Sequence, residues 1–295
     1  MRLILSFFVL LLGSSPAQEP LAQQIRAIAA DAHGKVAIAC SLPGVALDGD
    51  LNPNAHPPMQ SVFKLPLAIA ILHQVEQGKF TLDQPIHFLP GDRILPHVYS
   101  PLQDKYPQGG VDVPLRELLQ MDVSLSDNVA SVILMRLAGG PKVVRDYITS
   151  LGVDGFHLMD GEDALHRDPD LQYRNWFEPA GAVQLLRRIS DHSPLTAQHT
   201  GLVLEWMRSA ALAKRLPGDL PPGTIVAHKT GTSDVVKGLA AATNDIGLIS
   251  LPDGRQLAIA VFITDSTADA ATRDKVIARI ARAVYDNAMR ASPAR

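Results

Sequence analysis

Strand signals sit at the two ends of this chain, and helical signals fill the stretch between them. Near the start, the apolar run Val36–Cys40 reads as a strand, closed by the turn-forming Pro43-Gly44 pair. The other strands are expected far downstream, at Ile225–Ala227, Asp245–Leu251 and Gln256–Thr264, with Asp253-Gly254 turning the last two into a hairpin. Helical periodicity covers residues 61–77, 114–121, 127–138, 141–150, 179–190 and 195–208, and further helices are expected at 20–32 and 269–290. Residues 79–113 and 153–178 are rich in Pro, Gly, Asp and His and read as irregular. Strand backbone groups need partners, and the simplest solution pairs the chain ends with each other. The predicted class is therefore α+β with two lobes. One lobe, about 18–60 and 210–295, is an antiparallel sheet with covering helices; the other, about 61–209, is all-helical. A cleft between such lobes is the natural site.

The run M-R-L-I-L-S-F-F-V-L-L-L-G-S-S-P-A-Q reads as an export signal. Arg2 gives a positive start, Leu3–Leu12 an apolar stretch, and Ser15 and Ala17 small residues before a cleavage point. A membrane span needs about 20 apolar residues. Residues 1–17 are thus expected to be removed, with the mature domain starting near Gln18 in the periplasm or outside the cell and no anchor remaining. The 46% hydrophobic content supplies a core, and the net charge of −3 without basic runs argues against a nucleic-acid partner. The lone Cys40 sits in an apolar run, where a structural thiol is expected. No H-E-x-x-H or dense His/Asp cluster points to a metal.

One apolar run contains an anomaly. In Q60-S-V-F-K-L-P-L-A-I-A-I-L72, Lys64 follows Ser61 by three residues. On a helix those positions share a face. A lysine held dry beside another cation loses its proton more readily and can activate a hydroxyl. The first turn of the helix also offers unpaired N–H groups to an oxyanion. An isolated S-x-x-K arises by chance, and a lysine snorkelling from a helix end is the bland explanation. Two other stretches narrow the choice. Ser126-Asp127-Asn128 stands at a loop-to-helix junction, where such residues also serve as caps. H-K-T-G-T-S, from His228 to Ser233, follows the strand at Ile225–Ala227, with Gly231 allowing a ligand close to the backbone.

Together and in this order, the three motifs resemble the S-x-x-K, S-D-N, K-T-G set of the serine β-lactamases and penicillin-binding proteins. The resemblance runs from about residue 20 to 290. The stretch Gly161–His166 (G-E-D-A-L-H) adds a glutamate, Glu162, where class A β-lactamases carry one in an omega-shaped loop. Q-Y-R-N-W, Gln172–Trp176, is similar to the PER/VEB branch of that class. The resemblance implies β-lactam hydrolysis through a covalent acyl-enzyme, with no cofactor. Ser61 would be the nucleophile, with Lys64 or a Glu162-bound water taking its proton, and Ser126 a proton relay. Lys229 would supply positive potential, and Glu162 would activate the deacylating water. Asn128, Thr230, Gly231, Thr232 and Arg215 would hold substrate, Tyr99 would flank the cleft, and His166 would help place the water.

The chain departs from the commonest class A loop. His166 replaces an asparagine, and Asp160 and Asn175 replace the arginine and aspartate of a loop-closing ion pair, so that pair is expected to be absent. A D-alanyl-D-alanine peptidase or a penicillin-sensing domain would share Ser61, Lys64, Ser126 and Lys229; Glu162 favours the β-lactamase. A monomer acting on small molecules is expected, and the PER/VEB likeness implies broad cephalosporin activity.

Overall fold

The computed structural model describes residues 19–162, 169–191, 194–210 and 214–291. The expected leader, 1–17, lies outside them. The two chain ends meet in one antiparallel sheet. Its strands are β1 (Lys35–Ser41), β6 (Val226–Thr232), β7 (Val235–Val236), β8 (Leu239–Ser250) and β9 (Gln256–Ser266). They run in the order β1-β9-β8-β6, with β7 beside β8. Register puts Lys35 opposite Thr264 and Thr232 opposite Thr243. Two small ribbons stand apart: β2 (Pro85–His87) with β3 (Asp112–Pro114), and β4 (Phe156–His157) with β5 (Trp176–Phe177).

Covered on both faces, β9 reads as a nearly continuous apolar run. Leu257, Ile259, Val261 and Ile263 share a core with α1 (Leu21–Ala30) and α9 (Ala270–Arg290). The alternate residues Ala258, Ala260 and Phe262 join the second core, on the helical side. There α2 (Lys64–Glu76) is buried from Lys64 to Leu72. Around it lie α3 (Pro101–Lys105), α4 (Leu115–Gln120), α5 (Asn128–Ala138), α6 (Pro141–Ser150), α7 (Pro179–Ser190) and α8 (Ala197–Arg208). A two-lobed α+β fold results. Among the described residues no helix is long and apolar enough to cross a membrane. Cys40 is partly buried, and burial together with Asp50 pushes its thiol up to about 12.

Several expectations need correction. The helix expected from Ser61 divides into a 3-10 turn, Gln60–Phe63, and then α2. This puts Pro66 in the first turn of α2, where its missing N–H leaves no helical bond unmade. The K-T-G residues lie inside β6 and not beyond a strand ending at Ala227. β8 likewise starts at Leu239 instead of Asp245. Ala and Asn signal strand weakly, yet β8 is held by neighbours on both sides. The helix expected to stop at 121 continues through a π turn, Met121–Leu125. The segments read as irregular hold β2 to β5, α3 and the 3-10 turns Pro90–Asp92 and Pro169–Arg174.

Candidate active site

Ser61 is half-buried in the 3-10 turn that leads into α2. Gln60 before it has a positive φ of 47°. Such backbone in a non-glycine residue is strained and persists only when its surroundings hold it. Two strands do so. Asn244 of β8 donates its side-chain amide to the carbonyls of Pro58 (2.9 Å) and Met59 (3.2 Å). Gly231 of β6 packs so closely that a Cβ there would lie 2.5 Å from the Met59 carbonyl oxygen. The glycine of K-T-G is thus required by this close approach.

Lys64, fully buried, donates to the Ser126 carbonyl at 2.7 Å and to Asn128 Oδ1 at 2.5 Å. Lys229, 1% exposed, reaches Ser126 Oγ at 3.0 Å from the opposite side. Ser126 therefore joins the two lysines, one through its carbonyl and one through its hydroxyl. It closes the π turn with a left-handed φ of 59°. Asp127 fixes the following helix: its carboxylate accepts from Ala130 N, Leu102 N and Ser100 Oγ. The sequence pattern predicts a dry lysine beside a second cation. That prediction is for Lys64; at Lys229, burial first and then the Lys64 charge hold the amine well below the ordinary lysine range, while Asp122, Asp245 and Glu162 pull the other way.

Glu162 is 5% exposed, and its charge is felt at Lys229. His166 lies outside the described residues. The loop carrying Glu162 is tied at its neck by Asn175. The Asn175 side chain accepts from Met159 N (2.8 Å) and Asp160 N (3.1 Å) and donates to Asp160 O (2.8 Å). Neutral bonds thus join positions 160 and 175, where no ion pair is expected, and a different pair lies beside them: Arg174 is 3.2 Å from Asp160. The carbonyl of Asn175 also accepts from Met59 N, which couples the neck to the turn before Ser61.

Thr230 is buried and Thr232 exposed on β6. Arg215 is 5% exposed and its donors are engaged: Thr232 Oγ1 at 2.8 Å, the Gly231 and Asn244 carbonyls, and Asp274 at 2.7 Å. It stands behind Thr232 and reaches the strand edge through that hydroxyl. Tyr99 is exposed; partial burial and the Asp127 and Asp104 charges raise its phenol.

The sequence pattern does not reveal the supporting roles of four residues: those of Asn175, of Asn244, and of a buried pair on β6 and β8 in which His228 Nδ1 lies 2.9 Å from both Asp245 oxygens. The available signal was N-D in the middle of an otherwise apolar strand.

The Beta-lactamase enzyme family matches residues 20–288 of this chain. The extended-spectrum β-lactamase PER-1 of Pseudomonas aeruginosa is 40% identical over 271 residues, 91% of this chain and 88% of that protein. VEB-1, also from Pseudomonas aeruginosa, is 32% identical over 96% of this chain and 95% of its own length. The structure of a β-lactamase from Chitinophaga pinensis superposes with a TM-score of 0.86 at 44% identity, covering 91% of this chain and 99% of that one.

Proposed function

The chain belongs to the beta-lactamase enzyme family, and from that premise we propose how its serine–lysine site opens a β-lactam ring. The enzyme is a class A serine β-lactamase of the PER/VEB kind, and its reaction is hydrolysis of the lactam amide. The observation that carries the residue assignments is the joining of Lys64 and Lys229 through Ser126.

Substrate enters the cleft between a sheet lobe, about 18–60 and 210–295, and a helical lobe, about 61–209. Its carboxylate meets Thr230, Thr232 and the field of Lys229, with Arg215 supporting Thr232. Tyr99 flanks the entrance, and Asn128 holds the amide side chain. Lys64, anchored by its bonds to Ser126 O and Asn128 Oδ1, takes the Ser61 proton. Ser61 Oγ then bonds to the lactam carbonyl carbon. The resulting oxyanion is received by the Ser61 and Thr232 N–H groups, a contribution of about 10²–10³ in rate per donor. As the C–N bond breaks, Ser126 passes its proton to the nitrogen and is reprotonated from Lys64. Glu162 then removes a proton from water attacking the ester, with His166 beside the water. The acid is released and Ser61 recovers its proton. The expected leader, 1–17, sends this monomer to the periplasm or outside the cell, and cephalosporins are among its substrates.

The test follows lactam absorbance and intact protein mass together in excess cephalosporin. Many equivalents consumed with a fleeting adduct is the expected result. Ser61→Ala should carry no adduct, and Glu162→Ala should accumulate one. Wild-type protein that consumes one equivalent and stays acylated would replace this reading with a peptidase or a penicillin sensor.

A further inference from the structure

Two buried aspartates lie in the segment that carries Ser126, and they differ. Asp127 is hydrogen-bonded through both carboxylate oxygens, to Ser100, Leu102 and Ala130, and so acts as a clamp. Asp122 is 0% exposed, and its Oδ1 accepts from Ser131 Oγ at 2.5 Å. Its Oδ2 is buried with no hydrogen-bond partner among the described residues. A buried carboxyl with an unmet oxygen is unfavourable in either protonation state, so its place needs an electrostatic reason.

The surroundings supply one. Burial outweighs everything else and pushes the Asp122 carboxyl up to about 7; Lys64 from α2, Ser131 from α5 and Lys229 from β6 pull the other way, and Asp127 raises it further, so its charge is present above that value. α4 and α8 also pack on this turn. Their ionisable groups Arg116, Glu117, His199, Glu205 and Arg208 are exposed or half-exposed, outside the sealed space around Asp122. Two buried amines that repel each other therefore share a buried carboxyl with a donor on one oxygen only among the described residues.

We propose that Asp122 is a positioning residue for the lysine pair, supplying from beneath the site the negative charge that keeps Lys229 an ammonium ion beside Lys64. It acts through the lysines and touches no substrate. The inference rests on the reading of Ser61, Lys64 and Lys229 given above.

The experiment is the pH profile of acylation (kcat/KM) for wild type, Asp122→Asn and Ser131→Ala, with adduct mass mapped to its peptide. Asparagine keeps the size and the acceptor for Ser131 and removes the charge. Both lysines then lose their protons more easily, and both limbs of the profile should move to lower pH by about one unit, the effect of one charge acting through protein interior. Ser131→Ala keeps the carboxyl but removes its donor. Asp122 then takes up a proton more readily, and the limbs should move the same way by a smaller amount. Should Asp122→Asn fail to fold, Ser131→Ala decides by itself. Profiles that superimpose on wild type would overturn the proposal and leave Asp122 a hydrogen-bond partner of Ser131 alone. A wild-type adduct on a residue other than Ser61 would instead overturn the site reading, so the two failures are distinct.

Discussion

Ser126 serves both lysines from a left-handed backbone position. Its carbonyl, needed by Lys64, survives any substitution; its hydroxyl does not. Ser126→Ala is expected to keep the fold and lower acylation by about 10²–10⁴, the range for loss of a positioned proton carrier. Ser126→Gly should be equally slow yet more stable than the alanine variant by about 1 kcal/mol, because left-handed φ penalises an L side chain. Denaturation midpoints and acylation rates of the two variants check both statements. Equal stabilities would show that the turn relaxes to another backbone conformation when the hydroxyl is lost. The motif residues were legible in the sequence because the chemistry demands those residue types at fixed offsets. Asp122, Asn175 and Asn244 were not, because a single polar residue reveals its partner only once distant elements have met.

At the scale of elements, the neutral side chain of Asn175 makes three hydrogen bonds across the neck of the loop carrying Glu162, beside the Arg174–Asp160 pair. Asn175→Ala removes three hydrogen bonds and leaves the N–H groups of Met159 and Asp160 without their acceptor. Stability should fall by about 1–3 kcal/mol, and deacylation should slow more than acylation. The adduct should therefore last longer in intact-mass time courses; an unchanged lifetime would uncouple the neck from Glu162. A second tie joins helices: Glu76 near the end of α2 accepts from Thr196 N and His199 Nδ1 at the start of α8, both at 2.8 Å. Burial raises the proton affinity of Glu76, but the Thr196 and His199 bonds outweigh it and the net shift is downward. The stabilisation is thus present above the unfolded carboxylate value of about 4.3 and is lost as pH falls through the lower folded value. Glu76→Gln should lower Tm at neutral pH, and the gap to wild type should close in acid. Helix limits were the most legible feature: α6 and α7 begin at Pro141 and Pro179, and Asp127 caps α5. Strands of two or three residues such as β2 to β5 carry too little pattern to be read, and the extension of β6 to Thr232 comes from its pairing with β8.

Across the whole molecule, β9 belongs to both cores, with Ile259 on the α1/α9 face and Phe262 on the helical face. Truncating either to alanine should cost about 2–5 kcal/mol. In both variants the unfolding transitions followed by activity, near-UV and far-UV dichroism should coincide, because neither core survives without the strand. Two separated transitions would show that the lobes melt independently. The sheet was legible from the strand signals at the chain ends, and the same arrangement has a consequence for synthesis. Lys35 pairs with Thr264, so the first strand to leave the ribosome waits for the last one made. Ser61, Lys64 and Ser126 wait in the same way for Lys229. A chain interrupted before β6 presents an unpaired strand edge and an incomplete site. Translation that stops early therefore yields a protease substrate, never a fragment with partial resistance activity.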